Sequence, residues 1–139
     1  MEFKRLYEKD IPLMKEIIED DEMIFNEDNL LNFIKDNNNY GFIAKDNNKA
    51  VGFIYCYSLL RPDGRYMCYV HSVGVLPEYQ GKGVGSNLFE YMVNCLEKEN
   101  KNYKYFLLTS EDNIVAQKLY DKYSDKKCLQ VYYQKEFRK

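Results

Sequence analysis

The stretch Val73-Gly74-Val75-Leu76-Pro77-Glu78-Tyr79-Gln80-Gly81-Lys82-Gly83-Val84-Gly85-Ser86 decides how this chain is read. An apolar strand ends at Val75, Pro77 breaks the ladder, and a loop carrying Gly81, Gly83 and Gly85 opens a helix. Glycines let a backbone approach a ligand closely. A bare helix N-terminus offers unpaired N–H groups and the positive end of a dipole to an anion. The implied ligand carries phosphate or pyrophosphate. Two widespread glycine motifs do not fit. A P-loop needs glycine where Leu76 stands, and Ser or Thr where Gly83 stands. The dinucleotide fingerprint needs a last glycine at the position of Ser86.

Outward from this loop, the pattern behind it is helical, with Val84, Leu88, Met92 and Cys95 or Leu96 on one face and an end near Asn100. Ahead of it, Tyr40 to Lys45, Ala50 to Leu60 and Tyr66 to Val75 read as strands, separated by Asp46-Asn47-Asn48-Lys49 and by Arg61-Pro62-Asp63-Gly64-Arg65. Both separators are turns, the second because Pro presets φ and Gly accepts positive φ. The middle of the chain is therefore an antiparallel meander that runs into the glycine loop. Towards the N-terminus, Glu2 to Tyr7 reads as an edge strand. Asp10 caps a helix running through Pro12, with Ile11, Met14, Ile17 and Ile18 inward, and a second helix covers Glu27 to Lys35 with Leu30, Leu31 and Ile34 inward. Towards the C-terminus come a buried-looking strand from Tyr103 to Thr109, a helix carrying Ala116, Leu119, Tyr120 and Tyr123, and a final strand from Lys127 to Phe137. The order β-α-α-β-β-β-α-β-α-β predicts a single mixed α+β domain over residues 1–139, with no repeat, linker or low-complexity tract.

Composition narrows the classes. A chain of 139 residues can bury one good core. With 22 acidic against 20 basic side chains the net charge is −2, and no basic stripe offers a footprint for nucleic acid. The chain has 14 Tyr and 8 Phe but no Trp, a share that suits a β-rich core. Cys56, Cys68, Cys95 and Cys128 lie far apart, and the single histidine, His71, builds no zinc site alone, so no metal is expected. No h-region follows Met1, and no apolar run approaches the roughly 18 residues that span a bilayer. A cytoplasmic protein with reduced thiols, not bound to membranes or nucleic acid, is the expectation.

Gln80-Gly81-Lys82-Gly83-Val84-Gly85 resembles the acetyl-CoA loop of the GNAT superfamily of N-acetyltransferases, whose core pattern is Gln/Arg-x-x-Gly-x-Gly/Ala. The Val73-Gly74-Val75 strand end, Pro77 and Tyr79 match the family's lead-in, and the element order matches over nearly the whole chain. The resemblance implies a mostly antiparallel GNAT-like sheet flanked by helices, and acetyl-CoA as donor, with Gln80, Gly81, Lys82, Gly83, Val84, Gly85 and Ser86 around its pyrophosphate. It also implies that the strand splays at Val73, Gly74 and Val75, so that free backbone groups pair with pantetheine. An N–H near Val75 would then polarise the thioester carbonyl, and Gly74 would permit the bulge such splaying requires.

Asn113-x-x-Ala116-x-x-Leu119-Tyr120 is similar to a second family constellation, in which the Asn contacts pantetheine and the Tyr protonates the departing thiolate. Two helical turns separate Asn113 from Tyr120, which puts both on one face, and a phenol within hydrogen-bond reach is a competent acid. Asn113 is also a good helix N-cap, and the two roles are compatible. For the general base the family often places a carboxylate on or before the Val-x-Val strand, where this chain has Tyr69-Val70-His71-Ser72. His71, Glu111 and a water chain all remain open, and a lone His on an apolar strand also reads as a hydrogen-bonded core residue.

Leu59-Leu60-Arg61-Pro62, the tyrosine-rich strand and Val-x-Val resemble the small aminoglycoside 3-N-acetyltransferase branch, with two departures. Ser72 stands where that branch has Asp, and Tyr123-Ser124-Asp125 replaces its Gly-Phe. The acidic run Glu19, Asp20, Asp21, Glu22, with Glu27 and Asp28, falls on the substrate side of such folds, where it could attract a cationic amine or simply be a solvated surface. The expected activity is direct transfer of acetyl from acetyl-CoA to a primary amine of a small cationic molecule, aminoglycoside- or polyamine-like, in a ternary complex with Tyr120 as acid. A protein N-terminal or lysine acetyltransferase is the enzymatic alternative, and a non-catalytic acyl-CoA-binding module the other. The tyrosine-rich final strand could pair with a second chain to make a homodimer.

Overall fold

A computed structural model describes residues 1–138. Its sheet has five strands in the order β1-β2-β3-β4-β5. They are β1 (Glu2–Arg5), β2 (Asn39–Asp46), β3 (Lys49–Leu60), β4 (Tyr66–Val75) and β5 (Asn102–Phe106). The first four pair antiparallel, with Arg5 opposite Phe42, Phe42 opposite Ile54 and Ile54 opposite Val73. β5 returns through a crossover helix and runs parallel to β4. The expected meander and N-terminal edge strand are both present.

Both faces of the middle strands are covered, which is why Phe42, Ile43 and Ala44 are successively buried. On one face lies α3 (Val84–Glu99), which buries Val84, Leu88, Phe89, Met92 and Leu96. On the other lie α1 (Lys15–Asp20) and α2 (Glu27–Lys35), the latter capped by the Asn26 side chain, which accepts from the Asn29 N–H at 2.9 Å. No helix among the described residues is long and apolar enough to cross a membrane.

Three expectations need correction. Asp10 does not start a helix that runs through Pro12. Residues Glu8–Leu13 form a 3-10 turn, and α1 begins only at Lys15, because Pro12 has no N–H to continue an α ladder. The Asp10 carboxylate is instead buried, accepting from the Tyr7 N–H at 2.9 Å and from Lys4 Nζ at 2.6 Å. Second, β5 ends at Phe106, and Tyr103 is 42% exposed, so this strand is an open edge and not a buried one. Third, residues 127–137 form no strand. Leu129, Val131 and Tyr133 alternate as a strand should, but an alternating segment becomes a strand only when a ladder partner lies beside it.

A polar cluster fastens the start of β5 to the meander. Ser58 Oγ donates to Asn102 Oδ1 at 2.8 Å and lies 3.3 Å from the Tyr40 hydroxyl, while Tyr40 donates to the Glu99 carboxylate. Burial first, and the Glu99 hydrogen bond next, push the Tyr40 phenol up to about 12.

Candidate active site

The site forms where β4 outruns its neighbour. Pairing of β4 with β5 stops at Tyr69 opposite Phe106, so from Val70 to Val75 no strand among the described residues covers the backbone of β4 on that side. On the other side β3 still pairs, with Gly74 opposite Phe53 and Val75 opposite Gly52. The irregularity in β4 sits at His71, since Tyr55 faces Ser72 while the next residue, Cys56, faces Val70. The expectation of a bulge at Gly74 is therefore corrected. Gly74 keeps regular pairing, and the extra residue is His71.

Beyond Val75 the chain is pinned from both directions. The Leu76 N–H donates to the Val51 carbonyl at 2.9 Å, and Gln80 Nε2 donates to the Val75 carbonyl at 3.0 Å. A 3-10 turn over Pro77–Tyr79 follows, held by the Tyr79 hydroxyl donating to Asp46 at 2.6 Å. Gly81 and Gly83 then take φ of +76° and +81°, in the left-handed region that favours glycine. Gly83 is the N-cap of α3 and lends the helix no side-chain cap. The first N–H to bond back is that of Asn87, to the Gly83 carbonyl at 3.0 Å. The N–H groups at the helix start are thus left to solvent or to an anion. Lys82 Nζ lies 5.7 Å from the Tyr79 ring and adds positive charge beside the loop. Helix and strand meet closely, since a Cβ on Gly85 would lie 3.5 Å from Val75 Cγ2. So the strand end at Val73, Gly74 and Val75 lies against the run from Gln80 to Ser86, within which the Val84 side chain turns into the core.

α4 (Ile114–Asp121) contributes the other expected residues. Asn113 is its N-cap, with Oδ1 accepting from the Ala116 N–H at 3.0 Å. Tyr120 lies two turns on. Its ring centroid is 5.2 Å from that of Phe89, and burial pushes its phenol above the ordinary range, so it holds its proton at neutral pH. Phe89, a residue the helical pattern does not single out, touches Tyr105, Tyr120 and Tyr123 at 5.2 to 5.7 Å. It stands immediately after Leu88 on the α3 stripe, and that position is the only signal for it in the sequence.

Of the open base candidates, His71 is neither buried nor in the core. It is exposed at the bulge, stacked on Tyr55 at 5.1 Å. Glu111 is an exposed loop residue whose carbonyl accepts from Gln117 Nε2 at 2.7 Å. Asp21, the first residue past α1, reaches β4, where Ser72 Oγ donates to Oδ2 at 3.3 Å. Cys56 and Cys68 are buried, which suits neither for nucleophilic work, and the neighbouring Cys68 with burial also pushes the Cys56 thiol up. The arrangement can hold an anion at the start of α3, take an extended ligand along the open end of β4, and present a protonated phenol from α4.

Known proteins place this geometry. The sequence matches the acetyltransferase (GNAT) family over residues 3–124. No curated protein sequence matches the chain. Solved structures do. An aminoglycoside acetyltransferase from an uncultured soil metagenomic sample, in complex with sisomicin, superposes with a TM-score of 0.76 at 22% identity, over 97% of this chain and 96% of that one. The ribosomal-protein-alanine N-acetyltransferase of Brucella melitensis biovar Abortus 2308 gives a TM-score of 0.76 at 17% identity, over 98% and 100%. The aminoglycoside N-acetyltransferase AAC(6')-Iy, in complex with CoA, gives 0.76 at 14%, over 97% and 98%. At these identities the likeness is one of fold. With the family match spanning most of the sequence, the chain belongs to the acetyltransferase (GNAT) family and is an acyltransferase.

Proposed function

We propose that the protein transfers the acetyl group of acetyl-CoA to a primary amine of a small cationic molecule, aminoglycoside- or polyamine-like, by direct transfer in a ternary complex in the cytoplasm. The observation that carries this is the uncapped start of α3, with Gly81 and Gly83 left-handed, set against the uncovered end of β4. Gln80 to Ser86 would hold the pyrophosphate of the donor, and Val73 to Val75 with Asn113 its pantetheine arm.

In this scheme the acceptor ammonium first loses one proton to water. The neutral nitrogen bonds to the thioester carbon, the C–S bond breaks, and the second nitrogen proton leaves. The departing thiolate takes the phenolic proton of Tyr120, which is restored from solvent, so one proton is released overall. Burial keeps the Tyr120 phenol protonated, so its proton is in place when charge develops on the departing sulfur, and the tyrosinate left behind, the stronger base of the two, is promptly reprotonated from solvent. The chain's main contribution is orientation and carbonyl polarisation.

Thiol release from acetyl-CoA over an amine panel tests the proposal. Tyr120→Phe should lower kcat about a hundredfold while CoA binding is retained, and an unchanged kcat removes Tyr120 from the mechanism. Saturating CoA, at about 100 times its Kd, should stabilise the fold by roughly 2.7 kcal/mol, and no thermal shift sinks the donor assignment. A protein α-amine is the second reading, supported by the likeness to a ribosomal-protein-alanine N-acetyltransferase. A lysine peptide and an N-terminal peptide in the panel decide it, while donor binding without turnover on any amine would leave only the non-catalytic module.

A further inference from the structure

On the face of the sheet away from α3, the bulge in β4 has a consequence for the acceptor. In a regular strand His71 and Ser72 would point to opposite faces. Because Tyr55 pairs with Ser72 and Cys56 with Val70, the extra residue turns both His71 and Ser72 towards the Tyr55 side. There the His71 ring stacks on Tyr55 at 5.1 Å and meets Tyr69 edge-on at 5.3 Å and Tyr57 at 6.4 Å. Tyr69 stacks in turn on Phe106 at 5.1 Å, and Phe33 of α2 closes the strip against Tyr57 at 5.9 Å. None of these six rings is fully buried, and His71 is open to solvent.

One carboxylate stands at the edge of this strip. Asp21 is carried there by α1, which the buried Ile17 and Ile18 hold on the sheet, and it accepts from Ser72 Oγ at 3.3 Å. Its charge is felt at Tyr55, whose phenol burial first, and then Tyr57 and Asp21, push up to about 12. Among the described residues the ion pairs join other carboxylates, such as Lys4 with Asp10 and Lys49 with Glu16 and Glu78, and none includes Asp21. Ser72, where the sequence lacks a carboxylate on the strand itself, is thus met by a carboxylate from another element.

We propose that Asp21 is the acceptor-recognition carboxylate of this enzyme, pairing with an ammonium group of a ring-bearing amine whose ring face lies on the strip formed by Tyr55, Tyr57, Tyr69 and His71. The inference rests on the acetyl-transfer reading above and deepens it. An ammonium gains from a carboxylate and from ring faces together, and an apolar ring face adds stacking, which an open-chain polyamine lacks. A flat apolar ring face is offered both by arylalkylamines and by amino sugars.

The test uses the full-length enzyme with acetyl-CoA and phenethylamine, an aminoglycoside and spermidine as acceptors, following KM and kcat for each and the thermal shift with CoA. Asp21 is exposed, so Asp21→Asn should fold as the parent does. It should raise KM for the ring-bearing amines about fivefold, in line with loss of one ion pair, with KM for acetyl-CoA and the CoA shift unchanged. Tyr57→Ala should raise KM more for ring-bearing amines than for spermidine, and Tyr57→Phe should restore it. The better of phenethylamine and the aminoglycoside identifies the source of the ring. Turnover with KM untouched by Asp21→Asn, or spermidine preferred over both ring-bearing amines, overturns this inference and leaves acetyl transfer standing. A parent enzyme that binds CoA and acetylates no amine overturns both.

Discussion

The two parts of the chain on either side of Leu96 are built differently. Every fully buried apolar side chain lies between Leu6 and Leu96, and beyond Leu96 no described residue is fully buried. The first part contains four antiparallel strands and α3 under a shared core. The second contains β5, α4 and the segment beyond it, with Val115 82% and Leu129 77% exposed. The proposed donor loop belongs to the first part and the proposed acid, Tyr120, to the second. In the proposed scheme phosphate recognition would rest on the well-packed part, and proton delivery on a helix that meets the core through Leu119, Tyr120 and the Phe89 ring cluster. Stability and catalysis can then be damaged separately.

The largest test of this difference is Phe89→Ala against Val115→Ala. Phe89 is fully buried and joins the two parts, so its truncation should cost about 4 kcal/mol in urea unfolding. Val115 is mostly exposed and should cost no more than about 0.5 kcal/mol. Similar costs for the two would mean that α4 is packed as tightly as the sheet. Next comes Gly83→Ala. A left-handed alanine costs about 1 kcal/mol, and its methyl sits at the proposed phosphate site. CoA affinity should fall as well, because the methyl holds the anion off the N–H groups of the loop. Lower stability with CoA affinity unchanged would take the loop out of donor binding.

A smaller effect is alkaline. The Tyr40 phenol, raised to about 12, belongs to the first part. Below the ordinary tyrosine pKa of about 10 its contribution is fully present. Between about pH 10 and 12 the unfolded phenol ionises first and stability falls, the loss becoming complete only as pH passes the folded value. Tyr40→Phe should make Tm fall less steeply over that window, without abolishing the slope, since Tyr55 is also raised to about 12. A slope identical to the parent's would mean that the phenol is not held protonated by burial and Glu99.

How much was legible follows the same division. In the first part each local signal agrees with the packing. Tyr66 to Val75 is a strand because it is rich in tyrosine and valine and is preceded by a Pro-Asp-Gly turn, and Val84 starts a helix because the apolar stripe begins there. The glycine loop was readable since positive φ at Gly81 and Gly83 leaves a mark in residue type. The bulge left none, because an extra residue in a strand shows only against the partner's register. His71 therefore looked like a core residue. Asp21 was hidden for a related reason, its contact with Ser72 spanning 51 residues and reading locally as part of a solvated acidic run. In the second part the alternation of Leu129, Val131 and Tyr133 promised a strand, yet pairing is a property of two segments and alternation of one.

That last case gives the smallest expected effect and the most discriminating one. Residues 127–138 bury no side chain fully, and the one ion pair they make, Lys127 with Asp121 at 3.5 Å, joins two side chains more than half exposed. Truncation after Lys126 should therefore leave stability within about 0.5 kcal/mol of the parent, since exposed ion pairs contribute little and the area lost was already wet. Sedimentation of the two forms adds the second coordinate. The outer edge of β5 carries unpaired backbone groups, and an alternating tyrosine-rich segment from a second copy is a chemically suitable partner for them, as the sequence expectation of a homodimer requires. In that case truncation lowers Tm in a protein-concentration-dependent way and halves the mass. A truncated form that keeps both Tm and mass removes the segment from any interface and leaves Phe89 as the chief tie between α4 and the rest.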